Sequence, residues 1–153
     1  MNQKDMQIIT CLRSNARESL TNMSKKLKIP VSTIYERLRQ NGGGLIKKHT
    51  SLIDFNELGY SLRANIMLKV NKSCRESLRE YMLSHLHVNS LYRINNGFDF
   101  LCEGVFRHLK EFEEFLEKLE EKFTIEKVDV HYIIDDLKRE CFMSDLQLLD
   151  MHR

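Results

Sequence analysis

Long apolar runs, a leader segment and paired cysteine motifs are all missing from this 153-residue sequence. No apolar stretch approaches the roughly 18 residues that a membrane-spanning helix needs, and residues 1–5 lack the apolar segment of a secretory signal. Its cysteines, Cys11, Cys74, Cys102 and Cys141, lie far apart and include no C-x-x-C pair. We therefore expect a cytoplasmic protein with reduced thiols and no membrane partner.

Groupings of residues typical of metal sites and active sites are missing as well. His85 and His87 are two residues apart, but no cysteine or third histidine follows at a spacing typical of zinc sites. No Ser-His-Asp or Cys-His grouping stands out, and the glycines at 42–44 lack the Lys-Ser ending of a phosphate-binding loop. We expect no metal, no cofactor and no enzymatic activity.

Charge is distributed unevenly along the chain. Residues 1–50 carry a net charge of +7, whereas the remaining residues carry −5. A basic module beside an acidic one is typical of a phosphate-binding head joined to a non-binding body. Charge alone would equally suit a head that binds RNA or an acidic protein surface.

Apolar residues at helical spacing predict three short helices in the basic half. Asp5 is placed to cap the first helix and Ser19 the second, and Lys28-Ile29-Pro30 separates the second from a third helix over 31–40. After the three glycines, Leu45–Ile53 predicts a strand with a basic tip. The pattern favours a winged helix-turn-helix DNA-binding domain over residues 1–53.

The third helix and the predicted wing carry side chains suited to DNA. Hydroxyl groups and arginines can reach base edges in the major groove, and lysines fix the register on phosphates. The expected DNA contacts are Ser32, Thr33, Tyr35, Arg37, Arg39, Lys47 and Lys48. The alternative for this helix is a solvated face whose charges only keep the protein in solution.

The second half changes to a mixed pattern after a connector at residues 54–60. Alternating residues predict strands over 62–70, 88–94, 98–107 and 125–134, and helical spacing predicts helices over 73–86 and 109–122. Asn95-Asn96-Gly97 indicates a hairpin. The order β-α-β-β-α-β predicts a ferredoxin-like module over residues 61–153, and so an α+β fold for the chain.

Some of these predicted strands are apolar on both faces. We expect one face to carry Leu91, Leu101 and Val105, and the other to carry Tyr92, Phe100 and Phe106. One face of such a sheet is covered by its two helices, so the second apolar face needs a partner. We therefore predict a homodimer formed through this module.

The ordered set of motifs resembles the Lrp/AsnC (feast/famine) family of bacterial and archaeal regulators over nearly the whole chain. The matching stretches are Asp5-x-x-Ile8-Ile9-x-x-Leu12, Arg17-x-Ser19, Met23-Ser24-Lys25-Lys26-Leu27-x-Ile29, Ser32-Thr33-Ile34-Tyr35-x-Arg37-Leu38, Leu45-Ile46-Lys47, Leu52-x-x-x-x-x-Leu58-Gly59 and Gly97-Phe98-Asp99-Phe100-Leu101. Two places depart from the family pattern: Gln40-Asn41 and the glycines replace a leucine and a charged stretch, and Pro30 replaces a serine.

The resemblance implies a winged helix-turn-helix, a dimerising ferredoxin-like module, assembly of dimers into an octamer and an amino-acid or related effector bound where dimers meet. Carried over by position, Asn96, Gly97 and Asp99 would lie at the effector site. The Asp99 carboxylate would accept the α-ammonium of the ligand. The alternative is that Asp99 caps the turn or pairs with an arginine of a neighbouring subunit.

Two other functions remain open from the sequence. Some relatives of this fold are tetrapyrrole decarboxylases, and His131, Tyr132 and Arg93 could take such a role here. That reading leaves the basic head without a use. In the other alternative, the ferredoxin-like part assembles and the head binds protein instead of DNA.

Overall fold

A computed structural model describes residues 2–41 and 44–151 and shows two compact units. Unit 1 contains the described parts of residues 1–52 and 137–153, and unit 2 contains residues 53–136. The net charges of +7 and −5 follow this division, because residues 137–153 add equal numbers of basic and acidic groups. No described helix is long and apolar enough to cross a membrane.

Unit 1 is built from four helices: α1 (Gln3–Ser14), α2 (Leu20–Leu27), α3 (Val31–Asn41) and α6 (Leu146–Met151). Its core is a small cluster of fully buried side chains contributed by α1, α2, α3 and the turn between the last two. The members of that cluster are Ile8, Cys11, Met23, Ile29 and Ile34. The three N-terminal helices therefore lie close to where their apolar spacing predicts them.

Side-chain caps explain where these helices begin. Asn2 caps α1: its side chain accepts from the Asp5 amide at 3.1 Å, and the Asp5 carboxylate accepts from the Asn2 amide at 3.0 Å. Asp5 is therefore the reciprocal partner in a capping box, one turn inside the helix, and the cap expected there is wrong by three residues. Ser19 caps α2 as expected, accepting from the Asn22 amide at 3.1 Å.

The strand predicted over Leu45–Ile53 is wrong. Residues 46–53 have no regular secondary structure, and Leu45, Leu52 and Ile53 are exposed. A strand needs a neighbouring backbone to satisfy its hydrogen bonds, and every described strand of this chain pairs within unit 2. Gly42 and Gly43, which we expected to form the turn into the wing, lie outside the described residues.

Unit 2 has the element order expected from the sequence. It contains β1 (Leu62–Val70), α4 (Arg75–Leu83), β2 (Val88–Arg93), β3 (Phe100–Phe106), α5 (Leu109–Lys122) and β4 (Ile125–Tyr132). The strands form one antiparallel sheet in the order β2-β3-β1-β4, which places β1 and β3 in the centre. The first turn expected for α4 is instead a 3-10 turn at Lys72–Cys74.

Alternate residues of the sheet point towards the two helices and form the core of unit 2. Ile66, Leu68 and Phe106 are fully buried there, together with Leu78 of α4 and Phe112 of α5.

The assignment of Leu91 and Tyr92 to the two faces needs correction. In the β2–β3 register Leu91 lies opposite the core residue Cys102, and Tyr92 lies opposite Leu101. Leu91 therefore joins the helix-covered face and exposed Tyr92 joins the open face. The cause is an irregularity between Val88 and Ser90, which shifts the strand by one residue and exchanges its faces.

The C-terminal segment returns to unit 1, although the sequence had placed it in the second module. The Arg13 guanidinium donates to the Glu140 carbonyl at 2.9 Å, the Glu140 carboxylate at 3.2 Å and the Phe142 carbonyl at 3.1 Å. Farther on, Leu146 of α6 packs against the unit 1 core. Leu137–Met151 thus completes the unit that the first 52 residues begin.

Candidate nucleic-acid interface

Helix α3 presents one solvent-facing side in unit 1. Ser32, Tyr35 and Arg39 are exposed on it, with Tyr35 retaining 57% of its surface. Thr33 is half-buried at its edge, because Ile34 and Leu38 face the core. The helix therefore exposes hydroxyl groups, a phenol and one guanidinium, and their contact with DNA stays a prediction.

Arg37 is differently placed from the other predicted DNA contacts. Its guanidinium donates to the Asp5 carboxylate at 2.7 Å, and the two side chains are only 27% and 10% exposed. This ion pair connects the middle of α3 to the first turn of α1. Arg39, in contrast, pairs with Glu36 at 3.2 Å on the open surface, where such a bond is weak and exchanges easily.

Two further side chains border a depression on the α3 surface that the sequence analysis did not single out. Ser32, Thr33 and Arg37 line it together with Glu36 and Gln40. An amide such as Gln40 can pair with adenine edges, and a carboxylate can accept from cytosine. Both Glu36 and Gln40 are polar residues of α3 that can be recognised in the sequence. Which side of the helix they occupy depends on where the core of unit 1 lies, and the sequence does not show that.

Unit 1 carries basic side chains with no acidic partner among the described residues. Lys47 and Lys48, for which phosphate contacts are predicted, are exposed in the segment after α3. Three more exposed cations have no ion pair within the described part of the chain: Arg17, Lys25 and Lys28. The sequence analysis counted them in the net charge but did not assign them to the interface. Unpaired exposed cations are the groups that can exchange counterions for phosphates.

Other cations of unit 1 are already neutralised by its own carboxylates. The Lys26 ammonium lies 2.7 Å from the Glu18 carboxylate. This hydrogen bond raises the pKa of Lys26 and lowers the pKa of Glu18. Arg13 is similarly occupied by Glu140. These two cations therefore contribute less to an anion-binding surface than the charge count of the sequence suggested.

The predicted effector residues lie in unit 2, at the hairpin between β2 and β3. Asn96 and Gly97 form its exposed tip with backbone φ angles of 60° and 86°, in the left-handed region that asparagine and glycine tolerate. Asp99 is buried beneath the tip. Its carboxylate lies 2.6 Å from the Arg75 guanidinium and accepts from the Val70 amide at 3.0 Å.

The groups considered for a decarboxylase do not converge. Arg93 ends β2 and His131 lies on β4, which are the opposite edges of the sheet. Tyr132 points to the other face from His131 and contacts the Phe112 ring, with 5.7 Å between ring centroids. Among the described residues, no group of three or more His, Cys, Asp or Glu side chains is placed to hold a metal ion.

One family model matches part of the chain. The model described as "Tumor necrosis factor alpha-induced protein 8-like" covers residues 33–124. This span begins inside α3, crosses the boundary between the two units and ends before β4. It therefore corresponds to neither folding unit, since β4 is one of the two strands that pair with β1.

Sequence relatives cover both units. An uncharacterised HTH-type transcriptional regulator of Pyrococcus furiosus is 25% identical over 137 residues, which is 89% of this chain and 93% of the relative. The HTH-type transcriptional regulator FL11 of Pyrococcus horikoshii is 28% identical, covering 76% of this chain and 78% of its own. LrpC of Bacillus subtilis is 25% identical, with 77% and 83% covered.

Solved structures of regulators share the fold over a similar length. A Neisseria meningitidis transcriptional regulator in complex with L-Met aligns with a TM-score of 0.84 at 18% identity, covering 91% of this chain and 93% of its own. Bacillus subtilis LrpC aligns with a TM-score of 0.82 at 23% identity, with 90% and 97% covered. E. coli AsnC also gives 0.82, at 16% identity, with 94% and 98% covered. Together with the sequence motifs, these relatives show that the chain belongs to the Lrp/AsnC family of transcriptional regulators.

Proposed function

We propose that this regulator binds specific sites on double-stranded DNA through unit 1, acting as a winged helix-turn-helix, and assembles through a ferredoxin-like unit 2. The observation that carries the proposal is the exposed face of α3, which projects hydroxyl groups, a phenol and a guanidinium from a unit of net charge +7. The short turn at residues 28–30 between α2 and α3 supports a helix-turn-helix.

The side chains fall into two proposed roles at the DNA. Ser32, Thr33, Tyr35 and Arg39 would reach base edges, because they lie on or beside the exposed face of α3. Lys47 and Lys48 would contact phosphates from the loop after α3, which serves as the wing without forming a strand. Arg37 would hold α3 against α1 through its bond to Asp5, which leaves it less free for a base.

Dimerisation would use the open face of the unit 2 sheet. Met67, Leu101 and Tyr92 follow one another across β1, β3 and β2 on this face. Polar bonds surround this apolar row, including Arg63 to the Glu103 carboxylate at 3.0 Å. A second copy would cover the row. We propose a cytoplasmic homodimer that assembles further towards an octamer, with two heads reading half-sites about 34 Å apart.

An effector would act on this assembly. The solved structure of the Neisseria meningitidis regulator is a complex with L-Met. We propose that the hairpin tip with Asn96 and Gly97 lies at a corresponding site for an amino acid or related metabolite. Binding there would change how dimers pack, and so how the heads are spaced. Asp99 lies beneath this tip, and its carboxylate is paired with the Arg75 guanidinium.

The test is DNA binding measured by fluorescence anisotropy, using sites selected from random sequence. We expect the association constant to fall steeply with salt. Lys48→Gln should weaken all sites about equally and reduce the salt slope by about 1, because one phosphate contact is lost. Arg39→Ala should change the ranking of sites instead.

A matched control is Lys118→Gln, which removes an exposed lysine from α5 in unit 2 and should leave DNA binding unchanged. Absence of DNA binding at moderate salt would contradict the proposal and favour a head that binds protein. Identical effects of Lys48→Gln and Arg39→Ala on site ranking would contradict the division between phosphate and base contacts.

A further inference from the structure

Two lysines stand directly opposite each other beside the β2–β3 hairpin. In the β1–β4 register Lys69 faces Lys127, and both side chains lie on the open face of the sheet. Like charges at directly opposite positions of neighbouring strands destabilise a sheet. A carboxylate, Asp129, lies two residues further along β4 on the same face, opposite Met67. It is 3.6 Å from the His131 ring.

A third cation belongs to the same place. Asp99 bridges this cation, Arg75, to Lys69, because its carboxylate lies 2.6 Å from the Arg75 guanidinium and 3.9 Å from the Lys69 ammonium. The Lys127 ammonium lies 4.6 Å from the centre of the Phe98 ring, next to the hairpin tip. Two cations therefore flank one carboxylate, and Lys127 lies opposite one of them, so the cluster retains an excess of positive charge.

The one carboxylate in this cluster is already committed. Asp99 retains 10% of its side-chain exposure, accepts from the Val70 amide and contacts Arg75 through its other oxygen. An α-ammonium brought to this position would also be placed against Arg75 and Lys69. In addition, the Arg75 side chain keeps 32% of its exposure, so its guanidinium can still meet an acceptor from solvent. Both facts favour an incoming acceptor over an incoming donor.

We propose that this cationic cluster, composed of Lys69, Arg75 and Lys127, binds a small anion that carries one or two carboxylates and needs no α-ammonium. The lysines and Arg75 would hold the carboxylates, and the exposed hairpin tip at Asn96 and Gly97 would cover the ligand. The inference deepens the proposed function, on which it rests, because it names the chemical class of the effector.

The experiment uses two probes with the same carbon skeleton, 2-oxoglutarate and L-glutamate, titrated into the full chain by isothermal calorimetry. We expect 2-oxoglutarate to bind at least as tightly as L-glutamate, because the oxo group introduces no positive charge. Lys69→Gln and Lys127→Gln should each weaken its binding about tenfold, the cost of one charged hydrogen bond. The control Lys118→Gln should bind like the unaltered chain.

Binding of L-glutamate without binding of 2-oxoglutarate would overturn the inference, as would failure of both probes to bind at millimolar concentration. Equal affinity of Lys69→Gln, Lys127→Gln and the control for 2-oxoglutarate would also overturn it. Anisotropy with DNA and no probe separates the two proposals. Normal DNA binding with no response to either probe rejects the cationic site alone, whereas loss of DNA binding rejects the proposed function.

Discussion

Replacing Arg37 by alanine should destabilise the protein more than it alters the choice of DNA site. The guanidinium donates to the Asp5 carboxylate at 2.7 Å, and Asp5 is buried. Alanine removes the cation and leaves a carboxylate with little access to water. The Asp5 carboxylate would still accept the hydrogen bond from the Asn2 amide, so it loses only part of its hydrogen bonding.

The expected cost follows from the chemistry of this pair. A hydrogen bond between charged groups contributes about 1.5–3 kcal/mol, and breaking a fully buried pair costs about 3–5 kcal/mol. Because the Arg37 side chain keeps 27% of its exposure and Asp5 keeps its capping bond, we expect about 2 kcal/mol. For a chain of this length that corresponds to a fall in Tm of about 4–8 °C.

The assay is urea and thermal unfolding followed by circular dichroism, with Arg39→Ala as the matched control on the same helix. Arg39 pairs with Glu36 in the open, where side-chain exposures are 68% and 51%, so its loss should cost about 0.3–0.5 kcal/mol. The double variant Asp5→Ala with Arg37→Ala should be less destabilised than the two single effects added together. Equal stability of the two arginine variants, combined with altered site choice for Arg37→Ala, would refute the reasoning.

Three further predictions concern unit 2 and the thiols. Gly104→Ala should destabilise the protein by about 1–3 kcal/mol in urea, because a Cβ there would lie 2.5 Å from the buried Phe106 ring; an unchanged midpoint would contradict this. Exposed Cys141 should react with a thiol reagent in the native state, whereas burial raises the pKa of Cys102 to about 12 and should protect it until unfolding; peptide mapping after brief labelling checks the order. Burial, followed by His87 and nearby lysines, lowers the pKa of His85 below its ordinary 6.5. The unfolded chain therefore binds the proton first as the pH falls, and Tm should decrease below pH 6.5. His85→Gln should flatten this dependence of Tm on pH, and an unaltered dependence would count against the role of His85.

Elements with strong local signals were predictable. Helix α5 has the bounds expected from its apolar spacing, and β1 matches its alternating pattern from Leu62 to Val70. Ser19 capped α2 as expected because a hydroxyl just before an apolar helical stretch satisfies amides of the first turn. Helix α6 was missed, although Asp145 accepts from the Gln147 amide at 2.8 Å and would have supplied a capping signal.

Features that depend on distant parts of the chain were not predictable. Leu45–Ile53 has the composition of a strand, but a strand also requires a partner, and the described residues supply none. The commitment of Arg37 depends on Asp5, which is 32 residues away in sequence. Exchange of Leu91 and Tyr92 between faces depends on a register irregularity that no composition reveals. The residue types suited to DNA contacts could be recognised in the sequence. Whether each side chain is free to reach DNA depends on distant partners such as Asp5 and could not be recognised there.

The return of the C-terminal segment to unit 1 has a consequence for synthesis of the protein. Unit 1 is assembled from two stretches of sequence separated by all of unit 2. The bonds of Arg13 to residues 140 and 142 and the packing of Leu146 on the core therefore cannot form until residues 137–151 have left the ribosome. Unit 2 is continuous and precedes that segment, so all of its residues leave the ribosome first and it can fold before the segment is available. Domains that fold in order of synthesis usually begin at the N-terminus. In this chain unit 2 should become protease-resistant first, and unit 1 should become so last.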